Sequence, residues 1–254
     1  MTRLTGAGPV AVQPASAGTE HDAAIQRETL IPLVITLDTE GGACVSGATL
    51  DGRWFRPEPV TVEQVSPDNP LYQYYRPVAV ELSASHAADA RPEDRDIVRP
   101  AEPAGAPLPA AEREDLVNTL ADASVAEAFS GLRSVGMLRV QVQRLYRQRS
   151  TGGKVFLRME FADPVGDVYD WIVRDIQLLQ PFSDPTSPDA ASLLEAFLVH
   201  LATEPIYISV GLTKPNGRFP GRFRGCHPLV VGVHGATEHL PRRGREHTDA
   251  RGVA

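Results

Sequence analysis

Apolar residues in this chain recur mainly at every second position, in short runs bounded by turn residues, which predicts a mainly β protein. The first run, Leu30 to Asp38, is β-branched and continuous rather than alternating, as in a strand covered on both faces. Gly41-Gly42 ends it. A second strand, Ala43 to Ser46, passes through Asp51-Gly52, a hairpin signal, into a third at Arg53 to Pro57. Pro77 to Ser83 alternates like a half-exposed strand. His86 to Pro109 holds many Pro, Ala and charged residues without a period and predicts a long loop or linker. Ala110 to Phe129 has helical spacing and an acidic first turn, with Gly131 to close it.

The second half is more regular. In Gly136 to Arg147, Leu138, Val140 and Val142 share one face, and the parity slips before Leu145, predicting a β-bulge. Ser150 to Gly153 is a turn, and Lys154 to Phe161 alternates, with Val155, Leu157, Met159 and Phe161 expected inward. Asp163 to Gly166 turns the chain into a third strand, Val168 to Val173. An amphipathic helix is expected at Ser187 to Thr203, striped by Leu193, Leu194, Phe197, Leu198 and Leu201. Strands at Ile206 to Leu212 and Leu229 to Val233 follow. Three strands, a helix and two strands is the order of an OB-type Greek-key barrel.

Net charge is −7, yet residues 1–127 hold 20 acids and 9 bases, and residues 128–254 hold 12 acids and 16 bases. The basic half is therefore the candidate for an anionic partner. Arginines number 23 against two lysines in an Ala- and Pro-rich chain, a bias of GC-rich coding, so where the arginines fall says more than their number. Cys44 and Cys226 fit neither a disulfide framework nor a zinc site, and each is expected as a small buried residue at a strand start. Met1 to Glu28 lacks an apolar signal region and reads as disordered, as does the basic tail from 236 to 254 with Arg242, Arg243 and Arg245. No run of about eighteen apolar residues spans a bilayer, so a cytoplasmic location without membrane contact is expected.

OB barrels bind ligands on strands 2 and 3 and on the loops joining strands 1–2 and 4–5. Here those elements are basic. Arg144, Arg147, Arg149 and Lys154 surround the first loop, and Phe156 sits between Lys154 and Arg158 on strand 2. The second loop, TKPNGRFPGRFR, brings Lys214, Arg218, Phe219, Arg222, Phe223 and Arg224 and no acid. Cations interleaved with aromatics suit phosphate contacts beside stacked bases. Trp54 with Arg56 is a further contact candidate in the first barrel, although a tryptophan closing a small barrel is the blander reading. Asp163, Asp167, Asp170 and Asp175 raise the question of a metal, but no His or Glu joins them at ligand spacing and most hold turn or strand-end positions. No nucleophile elbow, P-loop, zinc-protease or dinucleotide motif occurs, so neither catalysis nor a cofactor is expected.

The chain also resembles the dual OB-fold family of uncharacterised bacterial proteins, in GRWFRP (52–57), RPEDRDI (91–97), SVGML (134–138), FLRMEFAD (156–163), VYDWIVRD (168–175), VGLTKP (210–215) and CHPLVVGVHG (226–235). It departs from that pattern at 99–112 and in the lengthened loop before Cys226. The resemblance implies two tandem OB-like barrels, at 29–100 and 132–235, joined by a linker and helix at 101–131. It also implies a role in bacterial defence or conflict through sensing nucleic acid or a nucleotide. The combined expectation is a non-enzymatic nucleic-acid binder favouring single-stranded DNA or RNA. An acidic protein partner in a multi-subunit assembly, or a small-nucleotide sensor, is the alternative.

Overall fold

A computed structural model of the chain describes residues 25–37, 42–68, 70–83, 91–182, 195, 197–199, 201, 206–215 and 222–235, with the backbone alone at 132, 180–182 and 222. The segments expected as disordered termini therefore lie largely outside the described residues, although Gln26 to Glu28 are already strand.

The first barrel comprises β1 (Gln26–Leu37), β2 (Ala43–Ala48), β3 (Trp54–Glu58), β4 (Val78–Leu82) and β5 (Asp94–Pro103), closed in the ring order β1-β2-β3-β5-β4. Strand β3 runs parallel to β5, and the other pairings are antiparallel. The second barrel repeats this scheme with β7 (Val135–Arg149), β8 (Val155–Ala162), β9 (Val168–Val173), β10 (Ile206–Leu212) and β11 (Pro228–His234). Its parallel pair is β9 with β11, and β10 returns to β7 to close the ring. Both barrels thus have the OB strand order. In the second barrel, the connection between the third and fourth strands contains α3 (Ile176–Phe182), and residues 195, 197–199 and 201 within the expected amphipathic helix are helical.

The patterns that predict the second barrel hold up well. Leu157, Met159 and Phe161 alternate inward, and the β7–β8 register shifts between Val142 and Arg144, where the bulge is expected. Val155 departs from the expectation: it lies at the hairpin end, past the core, and is exposed.

Two expectations need correction. The segment expected as a loop contains β5, which closes the first barrel and runs into the expected linker. Its residues are almost all exposed or half-buried, so no apolar period marks it, and Pro100 and Pro103 disguise it further. The single helix expected at Ala110 to Phe129 is broken into α1 (Ala110–Leu120), β6 (Ala121–Asp122), which pairs with β7, and α2 (Val125–Ala128). Ser124 caps α2 by accepting from the Glu127 N–H, and the Glu127 carboxylate accepts from the Ala123 N–H.

Three apolar clusters hold the molecule: one inside each barrel and a third between them. Strand β1 explains the third. A register shift between Pro32 and Val34 leaves Leu30 and Ile35 inside the first barrel while Ile31, Leu33 and Val34 face Val135, Met137 and Val231 of the second. Trp54 joins this inter-barrel cluster with Leu116, Val117 and Leu120 of α1, rather than closing one barrel alone.

A buried polar seam crosses the same interface. The Tyr75 hydroxyl lies 2.6 Å from His234 Nδ1, and His234 Nε2 lies 2.9 Å from Ser209 Oγ. Asp175 accepts from the Tyr74 hydroxyl at 3.1 Å and from the Val233 N–H at 2.6 Å. Burial pushes Asp175 up to about 6 and His234 down to about 3, since each charged form loses its water. Gly232 permits the close approach, because a Cβ there would stand 2.5 Å from the Leu33 carbonyl oxygen.

Candidate nucleic-acid interface

The cationic surface is built on the β7–β8 hairpin. From Ala128 to Met159 the chain has seven cations and no carboxylate. Residues Val135 to Val140 of β7 pair with β10, but beyond the bulge the strand pairs with β8 alone, and Val155 to Leu157 of β8 pair only with β7. The end of the hairpin is therefore a two-stranded ribbon. Leu145 and Leu157 anchor it in the core. Arg147 and Arg149 follow Leu145 on its side of the strand at alternate positions, half-buried and exposed respectively.

On the outer face the Arg144 guanidinium lies 4.3 Å from the centroid of the Tyr146 ring, and Lys154 Nζ lies 5.7 Å from that of Phe156. Arg144, Arg147, Arg149 and Lys154 form no ion pair among the described residues. Arg158 differs: it is bound to Asp170 at 3.0 Å, and the Tyr146 hydroxyl donates to the same carboxylate at 2.8 Å. Tyr146, absent from the sequence-derived set, is the second half-buried aromatic of this face. Its position two residues from Arg144 on a strand was the available signal.

The described part of the loop between β10 and β11 after residue 221 packs inward more than its composition predicts. Arg218 and Phe219 lie outside the described residues, and the side chain of Arg222 does too. Phe223 is turned inward, against Phe129 and Trp171 with ring centroids 5.2 and 6.2 Å away, so it is a core residue rather than a stacking platform. Arg224 donates to the Arg133 carbonyl at 2.8 Å and is half-buried, which ties the loop down. Lys214 is exposed and reaches Glu58 of the first barrel at 3.6 Å.

Arg56 is a structural cation. Only 3% exposed, it donates to Ser46 and Ser134 and pairs with Asp94 at 2.5 Å. Asp94 is shared with Arg91, which also holds Glu58 at 2.6 Å. Glu93 accepts from both the N–H and the hydroxyl of Ser134, linking this network to the start of β7. RPEDRDI is thus the strand entry that clamps the barrels together.

The carboxylates of Asp163, Asp170 and Asp175 have structural partners, and Asp167 joins the turn through its backbone. Asp163 accepts from the Val125, Val165 and Asp167 N–H groups, and Asp175 belongs to the seam. Among the described residues no three His, Cys, Asp or Glu side chains gather as a metal site would require. No described helix is long and apolar enough to cross a membrane.

Fold and surface together define a tandem OB-type barrel protein with one cationic ribbon. No family model matches the chain, and no curated protein matches it.

Proposed function

We propose that this protein is a non-catalytic binder of single-stranded nucleic acid, with the β7–β8 ribbon as its contact surface. The observation that carries this reading is the set Arg144, Arg147, Arg149 and Lys154, without ion pairs among the described residues, with the half-buried rings of Tyr146 and Phe156 beside Arg144 and Lys154 on the outer face. Unpaired cations can exchange counterions for phosphates, and flat rings can stack on bases of any sequence. The strands 1–2 hairpin is also the element that OB barrels commonly offer to oligonucleotides.

Two barrels of one strand order in a single chain are what the resemblance to the dual OB-fold proteins implies, and a role in bacterial defence is proposed from that resemblance. Cys44 and Cys226 are both free thiols, which supports a reducing, cytoplasmic setting. The test is fluorescence anisotropy with labelled single-stranded DNA and RNA of about twenty nucleotides. Wild-type protein binds, and the double reversal R147E/R149E lowers affinity at least tenfold. Equal affinity in the two proteins, or no binding by wild type, overturns the reading.

A further inference from the structure

Both barrels turn the outer surfaces of their second and third strands toward one cavity of about 370 Å³. The first barrel contributes Cys44 and Ser46 from β2 and Arg56 from β3. The second contributes Phe156 from β8 and Ile172 from β9. These are the surfaces on which OB barrels hold ligands, and here they share one space. Leu229 and Val231 add apolar wall, and Arg91 and Arg174 add charge. A mostly apolar concavity with a few placed polar groups is the usual form of a small-molecule site, and this volume lies toward the small end of that class.

The charges around it decide what kind of molecule fits. Arg56 is ion-paired to Asp94, Arg91 to Asp94 and Glu58, and Lys214 to Glu58. Those carboxylates are not among the residues lining the cavity, whereas Arg56 and Arg91 are. Arg174 has a different partner: it donates to the Leu37 carbonyl at 2.7 Å and forms no ion pair with any described residue. Of the three arginines that line the cavity, Arg174 is thus the one without an ion pair among the described residues.

We propose that the cleft between the barrels is a second binding site, for a small organic monoanion whose charged group meets Arg174 and whose apolar body lies against Phe156, Ile172 and Leu229. This site meets the ribbon at Phe156 alone, since Arg144, Arg147, Arg149 and Lys154 do not line the cavity.

The experiment uses the full chain and titration calorimetry with three probes. These are 2-naphthoate, its neutral methyl ester, and inorganic phosphate, which carries charge without an apolar body. The expected result is saturable 1:1 binding of 2-naphthoate, at least tenfold weaker for the ester and undetectable for phosphate. R174Q lowers naphthoate affinity at least tenfold, and L229W, which fills the cavity, abolishes it. Should R174Q fail to fold, L229W decides. Equal binding of acid and ester, retention by both variants, or no naphthoate binding by wild type overturns the proposal. The oligonucleotide assay reads the ribbon and the naphthoate assay reads the cleft, so either reading fails on its own.

Discussion

In the first barrel, Arg56 and Arg91, both largely buried, end on Asp94, Glu58 and two serine hydroxyls. In the second, Arg144 and Lys154 lie over ring faces, and Arg147 and Arg149, half-buried and exposed respectively, form no ion pair among the described residues. Strand order and chain direction are the same in both barrels. The difference lies in where the acids fall: β5 opens with Asp94 beside β3, whereas the carboxylate across from Arg144, Glu160, forms no ion pair with it and the hairpin beyond carries none. One residue type thus serves two purposes. A buried, paired arginine holds the barrels in position, and an exposed, unpaired one is free to meet phosphate.

The largest effect is expected at the buried end of that comparison. Arg56→Ala leaves Asp94 and the Ser46 and Ser134 hydroxyls without their guanidinium, and breaking a buried pair in this way costs about 3–5 kcal/mol. Arg147→Ala, on the ribbon, is expected to change stability by no more than about 0.5 kcal/mol. Urea melts of the two variants test the contrast, which fails if they lose similar stability.

Next comes pH dependence at the seam. Asp175, raised from 3.8 to about 6, favours the folded state increasingly as pH falls from about 6 to about 4, a contribution lost again as pH rises through 6. His234, lowered from 6.5 to about 3, acts in the opposite sense: its contribution is complete above pH 6.5 and drains away as pH falls toward 3. Each amounts to about 1.4 kcal/mol per pH unit, so the two nearly cancel between pH 6 and 4. Asp175→Asn removes one side, and its stability relative to wild type should fall by about 3 kcal/mol from pH 6 to pH 4. Parallel stability curves for the two proteins would mean that the seam does not titrate this way.

Smaller still is Gly232→Ala. The new methyl would meet the Leu33 carbonyl oxygen, and overpacking of this kind costs about 1–3 kcal/mol. A denaturant midpoint unchanged from wild type would show that the barrels do not approach so closely. On the ribbon, Phe156→Ala should weaken single-strand binding by about 1–3 kcal/mol, the worth of one stacked base. Unchanged anisotropy titrations would remove Phe156 from the surface.

The sequence was informative where one face of an element meets the core and the other meets water. In β8 the alternation through Leu157, Met159 and Phe161 is complete, and the parity slip before Leu145 locates the bulge correctly. Strand β5 was hidden because neither of its faces is clearly buried, so its pairing with β3 and β4 carries the information instead. The break between α1 and α2 was legible but overlooked, since Ser124 and Glu127 form a capping box in the middle of the expected helix. At the candidate site, the ribbon cations could be read because they are consecutive on one hairpin. Arg56 could not, because its partners Asp94 and Ser134 lie 38 and 78 positions away. Phe223 misled for a related reason: an aromatic among arginines looks like a stacking residue until Trp171 and Phe129 are found against it.

The most direct test of the ribbon is the salt dependence of its affinity for a single strand. Four cations without an ion pair among the described residues, each displacing a counterion, predict a slope of log K against log salt of about −3 for wild type. Replacing Arg144, Arg147, Arg149 and Lys154 together by glutamine should bring that slope close to zero, with the melting curve essentially unchanged. A slope that stays the same in the fourfold variant would contradict the account and place any nucleic-acid contact elsewhere on the molecule.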